Sequence, residues 1–239
     1  MIAAAATDRG RARTNNEDSV FADAARGILI VADGMGGHLG GEVASRLAVE
    51  VISANLLSAP PQLEPSRLLA EALDAANLAI WQTAAADSSL TGMGTTVAVV
   101  LVRDDELWLA HAGDSRIYLF RQGRLERLTR DHTLVEQMVE AGELTPEQAR
   151  VHPLRNVISR CLGTEPTAEP EIRKATWKQG DSVLLCSDGL TGMLEDEEIA
   201  QVLSEQKAPP DALCRKLIDL ANERGGWDNI SVVLARHTG

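Results

Sequence analysis

The sequence predicts an α+β fold: a central β-sandwich of two antiparallel sheets flanked by pairs of α-helices, four layers in the order αββα. Three observations predict it. Strand-sized apolar runs follow one another through loops as short as "RDD", "GDS" and "QG", as in an antiparallel meander. Stretches with helical spacing come in pairs, one before the meander and one after it. Strand-like runs then return to close the chain, so strands and helices segregate instead of alternating.

The first elements are the strand-like runs "IAAAAT", "SVFADA" and "GILIVAD". From Glu42 to Ser58, Val43, Leu47, Val51 and Ala54 recur at helical spacing. From Ser66 to about Ala85, Leu69, Ala72, Leu73, Ala76 and Ile80 mark one face of a second helix, and "APPQLEP" separates the two. "GTTVAVVLV", "ELWLAHAG", "RIYLFRQ" and "RLERLT" form the meander. Residues 131–163 read as a mostly helical insert. The strands "PEIRKATW" and "DSVLLCSD" come next. Two more helices follow, the second carrying Leu213, Leu217, Leu220 and Ala221 on one face, and "ISVVLARH" closes the chain as a strand. No repeat, low-complexity tract or linker interrupts this order, so a single domain over 1–239 is expected.

With 239 residues, 44% of them hydrophobic, the chain can bury a sizeable core. A net charge of −12 argues against nucleic-acid partners and anionic membrane surfaces. The three cysteines, Cys161, Cys186 and Cys214, are odd in number and form no CxxC, which disfavours a disulfide framework or a zinc site. Cys186 lies inside the apolar run "VLLCS" and reads as a core position. The start, "MIAAAATDRGRART", meets Asp8 and Arg9 before any signal-like apolar region develops, and the apolar runs are strand-sized. A soluble, cytoplasmic monomer is expected.

The chemistry sits in acids beside glycines. In "VADGMGGHLGG" an apolar run reaches Asp33, and five glycines then fall within eight residues. Taken alone this is either a tight turn with an N-cap or a loop that something approaches closely. No Gly-Lys-Ser/Thr follows, and Asp33 would repel a bare phosphate unless a cation intervened. "LLCSDGL" repeats the design with Asp188 and Gly189, "AHAGDSR" puts Asp114 between two strands, and "GGWDNISVV" puts Asp228 just ahead of the last one. The end of one antiparallel strand lies beside the start of the next, so these acids can collect at one edge of the sheets. Singly, each Asp-Gly or Asp-Asn is most often a turn; their recurrence points to a shared site. Carboxylates gathered this way need protons or a cation, and an all-oxygen set favours Mg²⁺ or Mn²⁺ over Zn²⁺. A binuclear hydrolytic centre is the chemistry such a cluster serves.

The ordered set "RARTNNEDS", "VADGMGGHLGGEVAS", "GMGTTVAVV", "AHAGDSRIYLF", "LTRDHTLV", "HPLRNVISRCLG", "LLCSDGLTGML" and "WDNISVV" resembles the metal-dependent type 2C protein serine/threonine phosphatases, in their compact bacterial branch. The resemblance runs from about residue 7 to 236. It implies a β-sandwich flanked by helices with the metal site at one end. It implies that Asp33 bridges two Mn²⁺ or Mg²⁺ ions, that the Gly34 carbonyl helps hold one, and that Asp188 and Asp228 complete the other. It assigns Glu17 a role through metal-bound water with Asp18 beside it, Asp114 a third ion, and Arg13 the substrate phosphate. A guanidinium suits that last role because it offers paired donors to phosphate oxygens. Asn229 either orients the site or makes a turn. The sequence departs from the family pattern at Met35, where many eukaryotic members carry a histidine as general acid. His38, three residues on, either takes that role or merely touches the substrate. The insert at 131–163 corresponds to the family's flap, a mobile lid that affects substrate choice.

The function expected is hydrolysis of phosphoserine and phosphothreonine on proteins, opposing a bacterial serine/threonine kinase. One alternative is a pseudophosphatase, a phosphoprotein-binding regulatory module; loss of a metal acid would favour it, and all four aspartates are present. Another is a hydrolase of small phosphate esters, which a comparison of phosphopeptides with metabolites separates.

Overall fold

The computed structural model describes residues 1–36, 39–60 and 62–239. The chain opens with β1 (Ile2–Asp8), β2 (Asp18–Asp23) and β3 (Ile28–Met35), followed by α1 (Gly40–Ser58) and α2 (Pro65–Ala86). The meander is β4 (Gly94–Thr95), β5 (Val97–Arg103), β6 (Glu106–Ala112), β7 (Arg116–Arg121) and β8 (Arg124–Arg127). After it come α3 (Leu134–Glu140), α4 (Pro146–Arg150), β9 (Glu171–Thr176) and β10 (Ser182–Cys186). The chain ends through α5 (Asp188–Thr191), α6 (Asp196–Leu203), α7 (Pro210–Glu223) and β11 (Ile230–Arg236).

Two antiparallel sheets result, one in the order β1-β11-β10-β7-β8 and the other β2-β3-β5-β6-β9 with β4 against β3. The central strands are apolar on both faces because each face meets a different layer. In β3, Ile28, Ile30 and Ala32 pack under α1 and α2, while Leu29 and Val31 face the opposite sheet. In β11, Val232 and Leu234 pack with α6 and α7, while Val233 and Ala235 point between the sheets. The period of two thus sorts one chain into three apolar layers, and the αββα sandwich is as expected. Cys186 lies in the core, also as expected.

Several local details differ. The buried face of α1 is Ala44, Ala48, Ile52 and Leu56, one residue on from the predicted stripe. Val43, Leu47 and Val51 are half-buried at its margin, and Ala54 is exposed. Small alanines let the helix approach the sheet, so the larger residues cover its flank. The run "GTTVAVVLV" is interrupted at Thr96, between β4 and β5. The insert at 131–163 is not mostly helical. Its helices span only seven and five residues, because Gly142 at φ +73° follows the first, Pro146 opens the second afresh, and Pro153 stands just beyond it. Three helices, not two, lie between β10 and β11, the extra one being the single turn α5.

Leu185 is fully buried between the sheets, opposite Val233 on one side and Ile117 on the other. Leu185→Ala is expected to destabilise the fold by about 2–5 kcal/mol in urea unfolding. A loss below about 1 kcal/mol would show that the inter-sheet layer is not filled at this point.

Candidate active site

Asp33, Asp114, Asp188 and Asp228 line one cleft of ≈ 650 Å³, together with Arg13, Glu17 and Gly34. Four chain segments deliver the aspartates. Asp33 does not end its strand: β3 runs on through Gly34 and Met35, which pair with Thr95 and Gly94. Asp188 opens α5 two residues past β10, and Asp228 lies two residues ahead of β11. Asp114 sits in the β6–β7 turn. Antiparallel pairing brings these ends together, as the sequence pattern anticipates.

The backbone around them is tightly bonded. The Asp33 carbonyl accepts from Thr96 N (2.8 Å) and Thr95 Oγ1 (2.9 Å), and Asp33 N donates to Thr96 Oγ1 (3.2 Å). Gly34 N donates to the Glu17 carbonyl at 3.1 Å. A Cβ at Gly34 would lie 2.0 Å from the Gly41 carbonyl oxygen, so the glycine is what lets the β3 end and the start of α1 touch. Asn229 resolves in favour of orientation. Its Oδ1 accepts from Glu17 N (2.8 Å), and its Nδ2 donates to the carbonyls of Arg9 and Asn15 (both 2.9 Å). One buried amide therefore staples the 9–17 loop, with Arg13 and Glu17 on it, to the start of β11.

Asp18 is the member that sequence reasoning left without a role. It stands directly opposite Asp33 in the β2–β3 register and is buried. Its Oδ2 accepts from Ser187 Oγ at 2.8 Å, while its Oδ1 and the Oδ1 of Asp188 are buried without a partner. The signal was present in "NNED", but only the pairing of β2 with β3 aims Asp18 inward. Asn156 and Ile158, from the 131–163 insert, also line the cleft. His38 lies outside the described residues.

Electrostatics is the strain of this site. Burial raises the pKa of Asp33 well above the carboxylate range, with Asp18, Asp188, Asp114 and Asp228 adding to it. Burial likewise pushes Asp18 up to about 7 and Asp188 up to about 6. Asp114 is pushed up to about 8 by burial and by the neighbouring Asp188. Arg13 answers part of this charge: its Nη2 lies 2.7 Å from Asp228 Oδ2, and that bond raises its own pKa. The acids surround a cleft instead of converging on one point. Among the described residues, only His111, His132 and Glu171 bring three ligand atoms within 4.8 Å of one another. Carboxylates spread in this way suit two or more ions rather than one.

Each raised pKa lies above the unfolded value of about 3.9, so these four groups bind more protons in the folded protein than in the unfolded chain, and the stability they contribute falls as pH rises. For chelator-treated protein, the melting temperature is expected to fall from about pH 4 upward. The fall should continue at least through pH 8, as the group pushed to about 8 ionises. A melting temperature that climbs from pH 5 to pH 8 would contradict the clustering of these acids.

The chain has known relatives. The family model described as Protein phosphatase 2C matches residues 7–220. The serine/threonine protein phosphatase PstP of Mycobacterium tuberculosis is 43% identical over 232 residues, covering 97% of this chain but 44% of PstP. The chain thus spans less than half the length of that relative. Protein phosphatase PhpP of Streptococcus pneumoniae is 38% identical over 233 residues, 95% of this chain and 94% of PhpP. Among solved structures, the catalytic domain of PstP in complex with two manganese ions superposes with a TM-score of 0.90 at 39% identity, covering 100% of this chain and 98% of that one. The chain belongs to the protein phosphatase 2C family.

Proposed function

We propose that this chain is a protein serine/threonine phosphatase that hydrolyses phosphoserine and phosphothreonine with the help of two Mn²⁺ or Mg²⁺ ions, residues 1–239 acting as one catalytic unit. The observation that carries this reading is the gathering of four half-buried aspartates from separate chain segments around one cleft, with an arginine at its mouth. The donor set fits such ions: it is all oxygen, it is rich in negative charge, and Asp18 and Asp188 each keep a buried oxygen without a partner. The relatives' names and the manganese bound by PstP support the same assignment. Asp33, the Gly34 carbonyl, Asp188 and Asp228 would hold the central pair with Glu17 beside them, and Asp114 a third ion. When bound, the ions supply a water of lowered pKa and brace the oxygens of an in-line displacement.

The remaining work falls to the chain's own groups. Arg13 is half-exposed and, among the described residues, is bonded to Asp228 through Nη2, so its guanidinium can offer paired donors to an incoming phosphate. Asn229 fixes the loop that carries Arg13 and Glu17, and so sets where the phosphate is gripped. The leaving serine or threonine alkoxide needs a proton, and His38 is the candidate acid in the glycine loop. The protein substrates place the chain opposite a serine/threonine kinase. No helix among the described residues is long and apolar enough to cross a membrane.

Hydrolysis of p-nitrophenyl phosphate and of phosphothreonine peptides should depend on Mn²⁺ or Mg²⁺ and stop with a chelator. Full activity in metal-free protein would overturn the proposal. Arg13→Ala should raise KM roughly 10- to 100-fold, the worth of charge-assisted hydrogen bonds, while Mn²⁺ affinity measured by calorimetry changes little. Unchanged KM and unchanged inhibition by phosphate would remove Arg13 from the site.

His38 is tested by the leaving group. His38→Gln should lower kcat on phosphothreonine peptides by roughly 10²-fold, as for loss of a general acid. On p-nitrophenyl phosphate, whose nitrophenolate leaves without a proton, the loss should be several-fold at most. Equal losses on both substrates would assign His38 to positioning instead.

A further inference from the structure

Asp114 reaches the cleft from a turn whose shape depends on Gly113. That glycine has φ +109°, and a Cβ on it would lie 2.5 Å from the Thr96 Cβ. Backbone of this kind has no side chain of its own to hold it. Here it is held from outside, by one residue, at both of its polar groups. Gly113 N donates to the ring Nδ1 of His132 at 3.3 Å, and the Gly113 carbonyl accepts from His132 N at 2.9 Å.

His132 is itself fixed on every side. Its ring stacks on His111 with centroids 4.4 Å apart, and His111 Nε2 donates to the Arg130 carbonyl at 2.9 Å. His132 is buried, and Nε2 lies 3.5 Å from Glu171 Oε2. Because Nδ1 accepts from Gly113, the ring proton sits on Nε2, facing Glu171. The same assignment argues against a metal ion at His111, His132 and Glu171, close though their ligand atoms are: the lone pair an ion would need on Nε2 is taken by a proton.

The residue also roots the flap. Its carbonyl accepts from Ser159 N at 2.8 Å, Thr133 bridges to Ile158, and Leu134 N donates to the Val157 carbonyl at 2.9 Å. Asn156 and Ile158, on that same limb, line the cleft. We propose that His132 is a positioning residue: it clamps Gly113 so that Asp114 is aimed into the acid cluster, and it ties that turn to the flap limb at 156–159, so that turn and flap hold one arrangement together. The consequence for metal binding rests on the role proposed for Asp114; the clamp itself does not.

The test compares His132→Asn, whose Oδ1 stands close to where Nδ1 was, with His132→Leu and His132→Gln, which place no acceptor there. Amide hydrogen exchange is followed on chelator-treated protein, so the clamp is judged apart from any metal chemistry. In the Leu and Gln variants, exchange should rise about tenfold both at 113–115 and at 157–159, with β11 unchanged, the effect of an orphaned buried donor. The Asn variant should stay within about threefold of the parent protein. In Mn²⁺ calorimetry of the metal-competent protein, His132→Leu should weaken the weakest site about tenfold and leave the tighter ones intact. Added to Asp114→Ala, it should change nothing further. Like behaviour of Asn, Leu and Gln, a rise confined to one of the two segments, or additive effects of His132→Leu and Asp114→Ala would each overturn the proposal. If the Leu variant does not fold, the Asn and Gln pair decides the question.

Discussion

The constraint on which the rest of this structure depends is the crowding of carboxylates at one end of the sandwich, where they lose water and repel one another. Two like charges about 4 Å apart in surroundings of effective dielectric about 20 repel by roughly 4 kcal/mol. That is a large share of the ~5–15 kcal/mol by which a domain of this kind is stable. The pKa values of Asp18, Asp33, Asp114 and Asp188 are all raised, first by burial and then by the neighbouring carboxylates. Nothing in the local preferences of these segments would gather such groups. The framework must force them together.

The framework does so with rigid ladders and three filled apolar layers. Asp33 is held on a strand whose neighbours are bonded on both sides, and Asp18 is locked opposite it by register. Asp188 and Asp228 flank the β10–β11 pair, whose inward side chains fill the space between the sheets. Where the layers end, short contacts take over: Gly34 against Gly41, Gly189 against Asn229, and Gly113 against Thr96 leave no room for a Cβ. The glycines beside the acids therefore serve close packing of backbone as much as freedom of the loop. The strain at the site is what a divalent cation relieves, so tight ion binding and a poorly compensated ion-free state are two sides of one arrangement.

The second organising feature is the way loops are tied to that end of the sandwich. Asn229 holds the loop that bears Arg13 and Glu17, and His132 holds both the Asp114 turn and the flap limb. Asn229 does so with its side-chain amide, which bonds three backbone groups. His132 does so with its ring at Gly113 N and its own backbone at the Gly113 carbonyl and Ser159 N, which is how buried polar residues add specificity instead of cost. The flap itself is irregular and carries exposed Val151, Leu154 and Val157. It departs from the helical pattern at Gly142 and Pro153, and it is attached at Thr133–Ile158, at His132–Ser159 and through Arg150 to Glu195.

What the sequence determined by itself is the layer order and the identity of the acids. Period-two apolar runs with short loops leave antiparallel sheets as the economical solution, and "DG", "GDS" and "WDN" beside apolar runs mark Asp33, Asp114, Asp188 and Asp228 without coordinates. The sequence also singled out Asn229, though not which of two roles it plays. What only the tertiary structure decided depends on partners distant along the chain. Asp18 joins the cluster because β2 pairs with β3 in a register that sets it opposite Asp33, and register is not written in either strand alone. The buried face of α1 is one residue on from its most hydrophobic stripe because the sheet beneath admits alanines more closely than valines and leucines. His132 lies in the stretch "LTRDHTLV", which carries the family resemblance and gives this histidine no role of its own. Its ring bonds a glycine nineteen residues away, a contact that no periodicity or spacing within its own segment could reveal.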